Sequence, residues 1–374
     1  MTPAPRVVLA PDKFKGSLTA PEVAAALAAG ITRVRPDIDI RRVPVADGGD
    51  GMVDAFIAAG WQRVVVPAPG PTGAASTAVY AVQGTTAVIE LAAAVGLAKL
   101  PGGRPDPLGA STFGLGVVIA HALDQGAREI VLGLGGSAST DGGAGLLRAL
   151  GLRLRDAAGE DPGEGGAALA RVVSVDRSGL HPAVAETRFT LACDVDNPLL
   201  GPAGAAAVFA PQKGATAAQV AVLEAALSNW AAVLGRGYAE VRGAGAAGGT
   251  GFGALAVLGA QVRSGIEVLL ELLEFPNLVS GATLVVTGEG SLDHQSLRGK
   301  APVGVGAAAR AAGVPVVAAV GRTLLSPGEI RAAGFTGCFT LSALEPDPAR
   351  SIAGAADLLT EVGEQIARTY FASR

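Results

Sequence analysis

The chain has 374 residues, with 29 basic and 33 acidic side chains, a net charge of −4, 49% hydrophobic residues and only 4% aromatics. So much apolar sequence with so little net charge excludes a disordered chain, and 54 glycines without a three-residue period exclude collagen. No basic run points to nucleic acid, and the length predicts two domains.

Short β-branched runs alternate with Ala/Leu-rich segments from end to end, the pattern of strands feeding helices in an α/β protein. Arg6 to Ala10 reads as a strand, PDKFKGSLTA as a loop, and Pro21 to Gly30 as a helix capped by Thr19. Ile38 to Val45, ADGGDG and Met52 to Ala59 repeat that plan. TAVYAVQGTTAVIEL predicts a hairpin, and Arg128 to Leu132 a strand. Gly243 to Val262 runs twenty residues without Asp, Glu or Lys or Arg, yet seven glycines make it a poor membrane span and a better packed turn and helix. Near the carboxyl end, Thr283 to Thr287, a helix from Pro302 to Ala312, Val314 to Val320, Cys338 to Leu341 and a helix from Pro348 to Tyr370 complete the pattern. The middle has a different texture, predicting one domain from residues 1–76 and 283–374 and a second inserted as 77–282. The amino terminus has no apolar stretch of signal-peptide length, so a cytoplasmic location is expected. Cys193 and Cys338 have no zinc-ligand spacing and read as buried free thiols, and His121, inside a helical pattern, reads as structural.

Loops carry the chemistry. Of five lysines, four lie in glycine-flanked loops: Lys13 and Lys15 in PDKFKG, Lys213 in PQKG and Lys300 in RGK. A lysine in a turn supplies a compact point charge suited to phosphate. Acidic residues occupy similar loops: Asp47 and Asp50, Asp141, Asp194 and Asp196, Glu289 and Asp293. Glycine lets backbone N–H groups approach an anion, and a neighbouring carboxylate can hold magnesium. No Walker-type P-loop is present, since His294 and Ala301 stand where Gly and Ser/Thr are needed around Gly299-Lys300. A dinucleotide fingerprint matches at Gly133 to Ala138, but a chain so rich in Gly and Ala produces such matches by chance. GLGGSASTDGGAG, with a strand before it, the hydroxyls of Ser137, Ser139 and Thr140, and a helix from about Gly142, predicts a phosphate cradle on a helix N-terminus.

APDKFKGSLTA, PVADGGDG, GLGGSASTDGGAG, CDVDNPLLG, FAPQKGA, GAGAAGGTGFGA and TGEGSLDHQSLRGKAPVGV, in this order, resemble the bacterial glycerate kinase family, over about Ala10 to Val320. The resemblance implies a flavodoxin-like, doubly wound domain from both chain ends, an inserted α/β domain with the active site in the cleft between them, and ATP with magnesium as donor for the 2-hydroxyl of D-glycerate. Lys13 stands where members often have Ser, Asp50-Gly51-Met52 where they have Glu-Gly-Thr, and Val117 where a Glu is common, so Val117 receives no catalytic part. A kinase must neutralise triphosphate, orient a small hydroxy acid and direct a hydroxyl proton. The catalytic candidates are Asp194, as base or metal ligand, and Lys15. Arg104, Lys13, Asn197 and Asp47 are the substrate candidates. Phosphate contacts fall to Gly135, Gly136, Ser137, Ser139, Lys213, Lys300 and Glu289, and Asp293 joins Asp194 as a metal candidate. Partners are small molecules, without nucleic acid or membrane. The competing readings are an NAD-dependent hydroxy-acid oxidoreductase and a non-catalytic nucleotide or sugar-acid binding protein.

Overall fold

The computed structural model describes residues 4–46 and 48–371. The chain divides into two compact units, one of residues 1–47, 54–60 and 266–374, the other of 48–53 and 61–265.

The first unit is built on a parallel five-stranded sheet. Its strands lie in the order Asp39–Arg42, Arg6–Pro11, Leu284–Gly288, Val316–Val320, Gly337–Thr340. In chain order this is 2-1-3-4-5, the flavodoxin-like doubly wound arrangement. The sheet reverses direction of growth between Arg6–Pro11 and Leu284–Gly288, which pair from Val7↔Leu284 to Pro11↔Gly288. The loops leaving their carboxyl ends, from Asp12 and from Glu289, therefore emerge at the topological switch point, where open α/β sheets place ligands. The second strand is shorter than the sequence predicts. Regular pairing is confined to Asp39–Arg42, although Val43 and Val45 still donate to Leu9 and Pro11 on either side of Pro44.

The first helix, Ala20–Val34, starts at Thr19, whose N–H and hydroxyl both reach the Glu22 carboxylate at 2.8 Å. Its buried stripe, Val23, Leu27 and Ile31, packs with Leu359, Val362 and Ile366 of the last helix, Ala355–Phe371. Each such buried side chain contributes about 1.5–3 kcal/mol. The two helices cross at glycine: a Cβ on Gly30 would collide with the Thr360 carbonyl, and one on Gly363 with that of Leu27. The helix expected over Pro348 to Tyr370 is in fact two, Pro348–Ala353 and Ala355–Phe371, broken at Gly354.

The second unit holds a six-stranded sheet in strictly sequential order: Gln62–Pro69, Ala75–Gln83, Thr86–Glu90, Glu129–Gly133, Arg188–Ala192, Gln261–Arg263. The first two pairings are antiparallel, including the predicted hairpin, and the remaining three are parallel. Gln62–Pro69 pairs along its whole length with Ala75–Gln83, so a boundary at 76/77 would cut a strand. The units instead change hands at 60/61 and 265/266. The uncharged stretch forms helix Ala246–Leu258, most of it buried in the unit's core beside Leu147 and Leu227. Among the described residues, one helix, Ala217–Leu234, is long and apolar enough to cross a membrane; its Leu223, Leu227 and Trp230 sit in the same core. His121 is structural, its Nδ1 lying 3.2 Å from the Tyr80 hydroxyl.

Candidate active site

In the second unit two glycine-rich segments and the loop opening at Ala192 meet at the carboxyl ends of neighbouring parallel strands. Gly133 ends one strand and Ala192 ends the next. Between their continuations runs Gly48-Gly49. A Cβ on Gly133 would stand 2.9 Å from the Gly48 carbonyl, one on Gly135 2.7 Å from the Gly49 Cα, and one on Gly48 2.9 Å from the Ala192 carbonyl and 3.0 Å from the Gly265 Cα. No side chain fits any of these positions. Gly48-Gly49, the GLGGS turn and the Ala192 strand end are thus pressed together backbone to backbone, the surface from which N–H groups can reach an anion. Asp194 follows directly, half-buried, its Oδ1 accepting the Gly265 N–H at 3.2 Å. Asp47, the first acid of ADGGDG, lies outside the described residues.

Glu90 is a carboxylate that the sequence reading missed. It ends strand Thr86–Glu90 opposite Gly133, is buried, and accepts the Val53 N–H at 2.8 Å, anchoring the segment that follows Gly48-Gly49. The only hint was a charge terminating an otherwise apolar β-branched run.

The cradle in GLGGSASTDGGAG differs from expectation. Its helix, Ala144–Ala149, has six residues, and its N-terminus is already occupied by Asp141. Asp141 Oδ2 accepts from the Thr112 N–H and hydroxyl, both at 2.7 Å, and from Gly145 N–H at 3.1 Å, while Oδ1 accepts from Gly143 N–H. The helix dipole therefore serves an internal carboxylate, and Asp141 is a cap rather than a metal ligand. A dinucleotide reading of Gly133 to Ala138 also fails, because no helix opens on that turn.

Ser137 and Ser139, expected to hold phosphate, are enclosed. The Ser137 hydroxyl donates to the Ser139 carbonyl at 3.0 Å and accepts the Ser139 N–H at 3.2 Å. Their hydroxyls bind the loop to itself, and only Gly135 and Gly136 are open at this turn. Thr140 Oγ1 is buried without a hydrogen-bond partner. Lys213, also expected at phosphate, is 3% exposed and points inward, donating to Ser137 Oγ at 3.2 Å and to the Ser139 carbonyl. Burial pulls its ammonium down from 10.5 to about 7, against the opposing attraction of Asp141. Asn197 is half-buried; its amide nitrogen donates to the Ala203 carbonyl at 2.8 Å, which leaves its second N–H and the amide oxygen for a ligand. Arg104 is exposed after the Pro101–Gly103 turn, and the adjoining Pro105 packs on Gly214.

In the first unit, Lys13 is half-buried and Lys15 exposed in the loop from Asp12. Gly290 lies against the backbone of Phe14 and Lys15, so the two loops of the switch point touch. Glu289 is buried at the base of its loop. Asp293 Oδ1 accepts the N–H groups of Gln295 and Ser296 at 2.8 and 3.2 Å. Although burial opposes ionisation of Asp293, these bonds and nearby Lys300 hold its carboxyl below the usual range. Lys300 is the half-buried N-cap residue of helix Ala301–Ala311.

Among the described residues no three His, Cys, Asp or Glu side chains converge as a metal cage. Magnesium delivered on a nucleotide keeps its waters and phosphate oxygens and needs only one or two protein carboxylates. A cavity of about 420 Å³ elsewhere in the second unit, lined by Phe113, Arg148, Arg153, Arg155 and Asp161 among others, contains none of the predicted site residues.

A profile of the glycerate kinase family matches residues 7–371. The chain is 43% identical to a Bacillus subtilis glycerate kinase over 90% of each chain. It is 40% identical to an Escherichia coli glycerate 2-kinase over 97% of each. A Salmonella typhimurium LT2 protein whose crystal structure was solved as a candidate glycerate kinase 2 superposes with a TM-score of 0.85, at 40% identity, covering 98% of each chain.

Proposed function

Because the chain belongs to the glycerate kinase family, we propose that it transfers the γ-phosphoryl group of Mg·ATP to the 2-hydroxyl of D-glycerate, giving 2-phosphoglycerate and ADP. The observation that carries the reading is the convergence of Gly48-Gly49, Gly133 to Gly136 and the Ala192 strand end, with no room for side chains at Gly48, Gly133 and Gly135. Phosphoryl transfer asks little covalent chemistry of a protein and much positioning and charge neutralisation.

Asp194 is assigned to the hydroxyl proton or, with Asp293, to magnesium. Held by the Gly265 N–H, its carboxylate has a fixed direction from which to orient an incoming hydroxyl. The open backbone of Gly135 and Gly136 is assigned to phosphate oxygens. Lys15 and Lys300 retain side chains not enclosed by the fold and are assigned to phosphate charge, with Glu289 supporting the Lys300 loop. Arg104 is suited to a two-pronged grip on the glycerate carboxylate, Lys13 adds positive charge, and Asn197 presents its amide oxygen.

The test couples purified protein, ATP, magnesium and D-glycerate to enolase, pyruvate kinase and lactate dehydrogenase, with no phosphoglycerate mutase. NADH oxidation without mutase is the expected result. Oxidation only after mutase is added would mean the 3-phosphate, and none in either case would reject glycerate as substrate.

A further inference from the structure

Lys213 is the one enclosed lysine among the described lysines, and two other segments of the second unit, Ser137–Ser139 and Gly248, lie against its ammonium. It belongs to the turn Pro211–Lys213, which Gly214 ends in a left-handed conformation against Pro105. Its Nζ donates to Ser137 Oγ at 3.2 Å and to the Ser139 carbonyl. On another side lies Gly248, where a Cβ would stand 2.9 Å from Nζ and would collide with the Ser139 carbonyl.

Gly248 is the centre of an unusual stretch. Ala247, Gly248 and Gly249 all have left-handed backbone, with φ of 52°, 68° and 85°. For Ala247 that conformation costs about 1 kcal/mol or more, and it persists only where surrounding contacts over-determine it. Those contacts run to the Ser137–Gly142 loop. The Ala247 carbonyl accepts from Thr250 Oγ1 at 2.7 Å and lies 3.4 Å from Ser137 Oγ, and the Gly248 carbonyl accepts the Gly142 N–H at 3.0 Å. Ser137 is therefore shared: it meets Lys213 on one side and the left-handed run on the other.

We propose that Lys213 is a positioning residue, a lysine sealed inside the second unit whose Nζ locks the Ser137–Thr140 loop against Ala247–Gly249 and so fixes the open backbone of Gly135 and Gly136 for phosphate. The assignment rests on the kinase reading for its purpose, but its geometry stands without it. It makes Lys213 an internal hydrogen-bond donor rather than a phosphate ligand, although its motif places it beside glycine just as the motifs of Lys15 and Lys300 do. Its action reaches the nucleotide through Ser137, so the two side chains work as one unit.

Two measurements test this. The intact protein is acylated briefly at pH 8 with N-hydroxysuccinimidyl acetate, with and without Mg·ATP, and labelled lysines are quantified by peptide mass spectrometry. Lys213 is expected to label at least tenfold more slowly than Lys15 in both conditions; labelling as fast as Lys15, with protection by ATP, would make it a direct phosphate ligand and overturn the proposal. A double-mutant cycle then reads the Kd for Mg·ATP by calorimetry in Lys213→Met, Ser137→Ala and the pair. Each single variant is expected to raise Kd roughly tenfold and the pair to rise no further, the signature of coupled residues. Unchanged Kd in folded Lys213→Met, or multiplicative losses in the pair, would overturn it. If Lys213→Met does not fold, the labelling result decides alone. A wild-type protein that binds no ATP would reject the kinase reading, and the labelling contrast, which needs no turnover, would still report whether the lysine is sealed.

Discussion

Replacing Lys213 by methionine should change how stability depends on pH, by an amount set by burial. In the unfolded chain the amine keeps its proton up to the ordinary value of 10.5, whereas in the fold it releases it at about 7. Between these values the unfolded state binds the extra proton, so stability rises with pH. The folded protein carries the full penalty of a buried ammonium below pH 7, and loses it as the pH approaches 10.5. The ceiling is about 5 kcal/mol, at about 1.4 kcal/mol for each pH unit, and Asp141, the charged group opposing the shift, is already included in the value of about 7. The assay is urea unfolding followed by tryptophan fluorescence at pH 7, 8 and 9. Both tryptophans, Trp61 and Trp230, belong to the second unit, so the signal reports the unit that holds Lys213. The wild type should gain about 2–3 kcal/mol relative to Lys213→Met between pH 7 and 9. Parallel pH dependences in the two proteins would refute the sealed lysine, because an amine open to water has no such penalty.

Asp194→Asn should lower kcat by about 100- to 10,000-fold with fold and ATP affinity retained; near-normal turnover would remove it from the proton-transfer role. Thr140→Val, which deletes a buried unpartnered hydroxyl, should stabilise the protein by about 1 kcal/mol, measured as a shift in urea midpoint; a loss of stability would mean that the hydroxyl has a partner. Burial pushes both thiols, Cys193 and Cys338, up to about 11. Native protein at pH 8 should therefore react with Ellman's reagent about a hundredfold or more slowly than free cysteine, and rapid reaction of either thiol would contradict its burial.

The strands were legible because β-branched runs bounded by Gly and Pro have few alternatives, and five of the predicted loops lie at strand ends as expected. What escaped was set by partners distant in sequence. The boundary at 60/61 follows from the full-length pairing of Gln62–Pro69, which its own residues do not announce. Lys213 and Lys300 sit in near-identical glycine settings, and only packing by Ser137, Ser139 and Gly248 makes the first an interior residue. Asp141 reads as a loop carboxylate until Thr112, 29 residues earlier, supplies two of its donors. Glycine is also required outside loops, at Gly30 and Gly363, where two helices touch.

The first unit is discontinuous, and that ordering has a consequence on the ribosome. Strand Arg6–Pro11 can pair early with Asp39–Arg42, but its other neighbour, Leu284–Gly288, and the helix that Gly30 receives are made only near the end of the chain. At about 5–20 residues per second the interval is tens of seconds. Throughout it the apolar stripe of Val23, Leu27 and Ile31 has no final partner, while the continuous stretch 61–265 is being synthesised and completed. Nascent chains arrested shortly before residue 284 should hence present a protease-resistant centre behind a cleavable amino-terminal arm. The enzyme's assembly is completed by its last helix, and truncations there should harm the oldest part of the chain first.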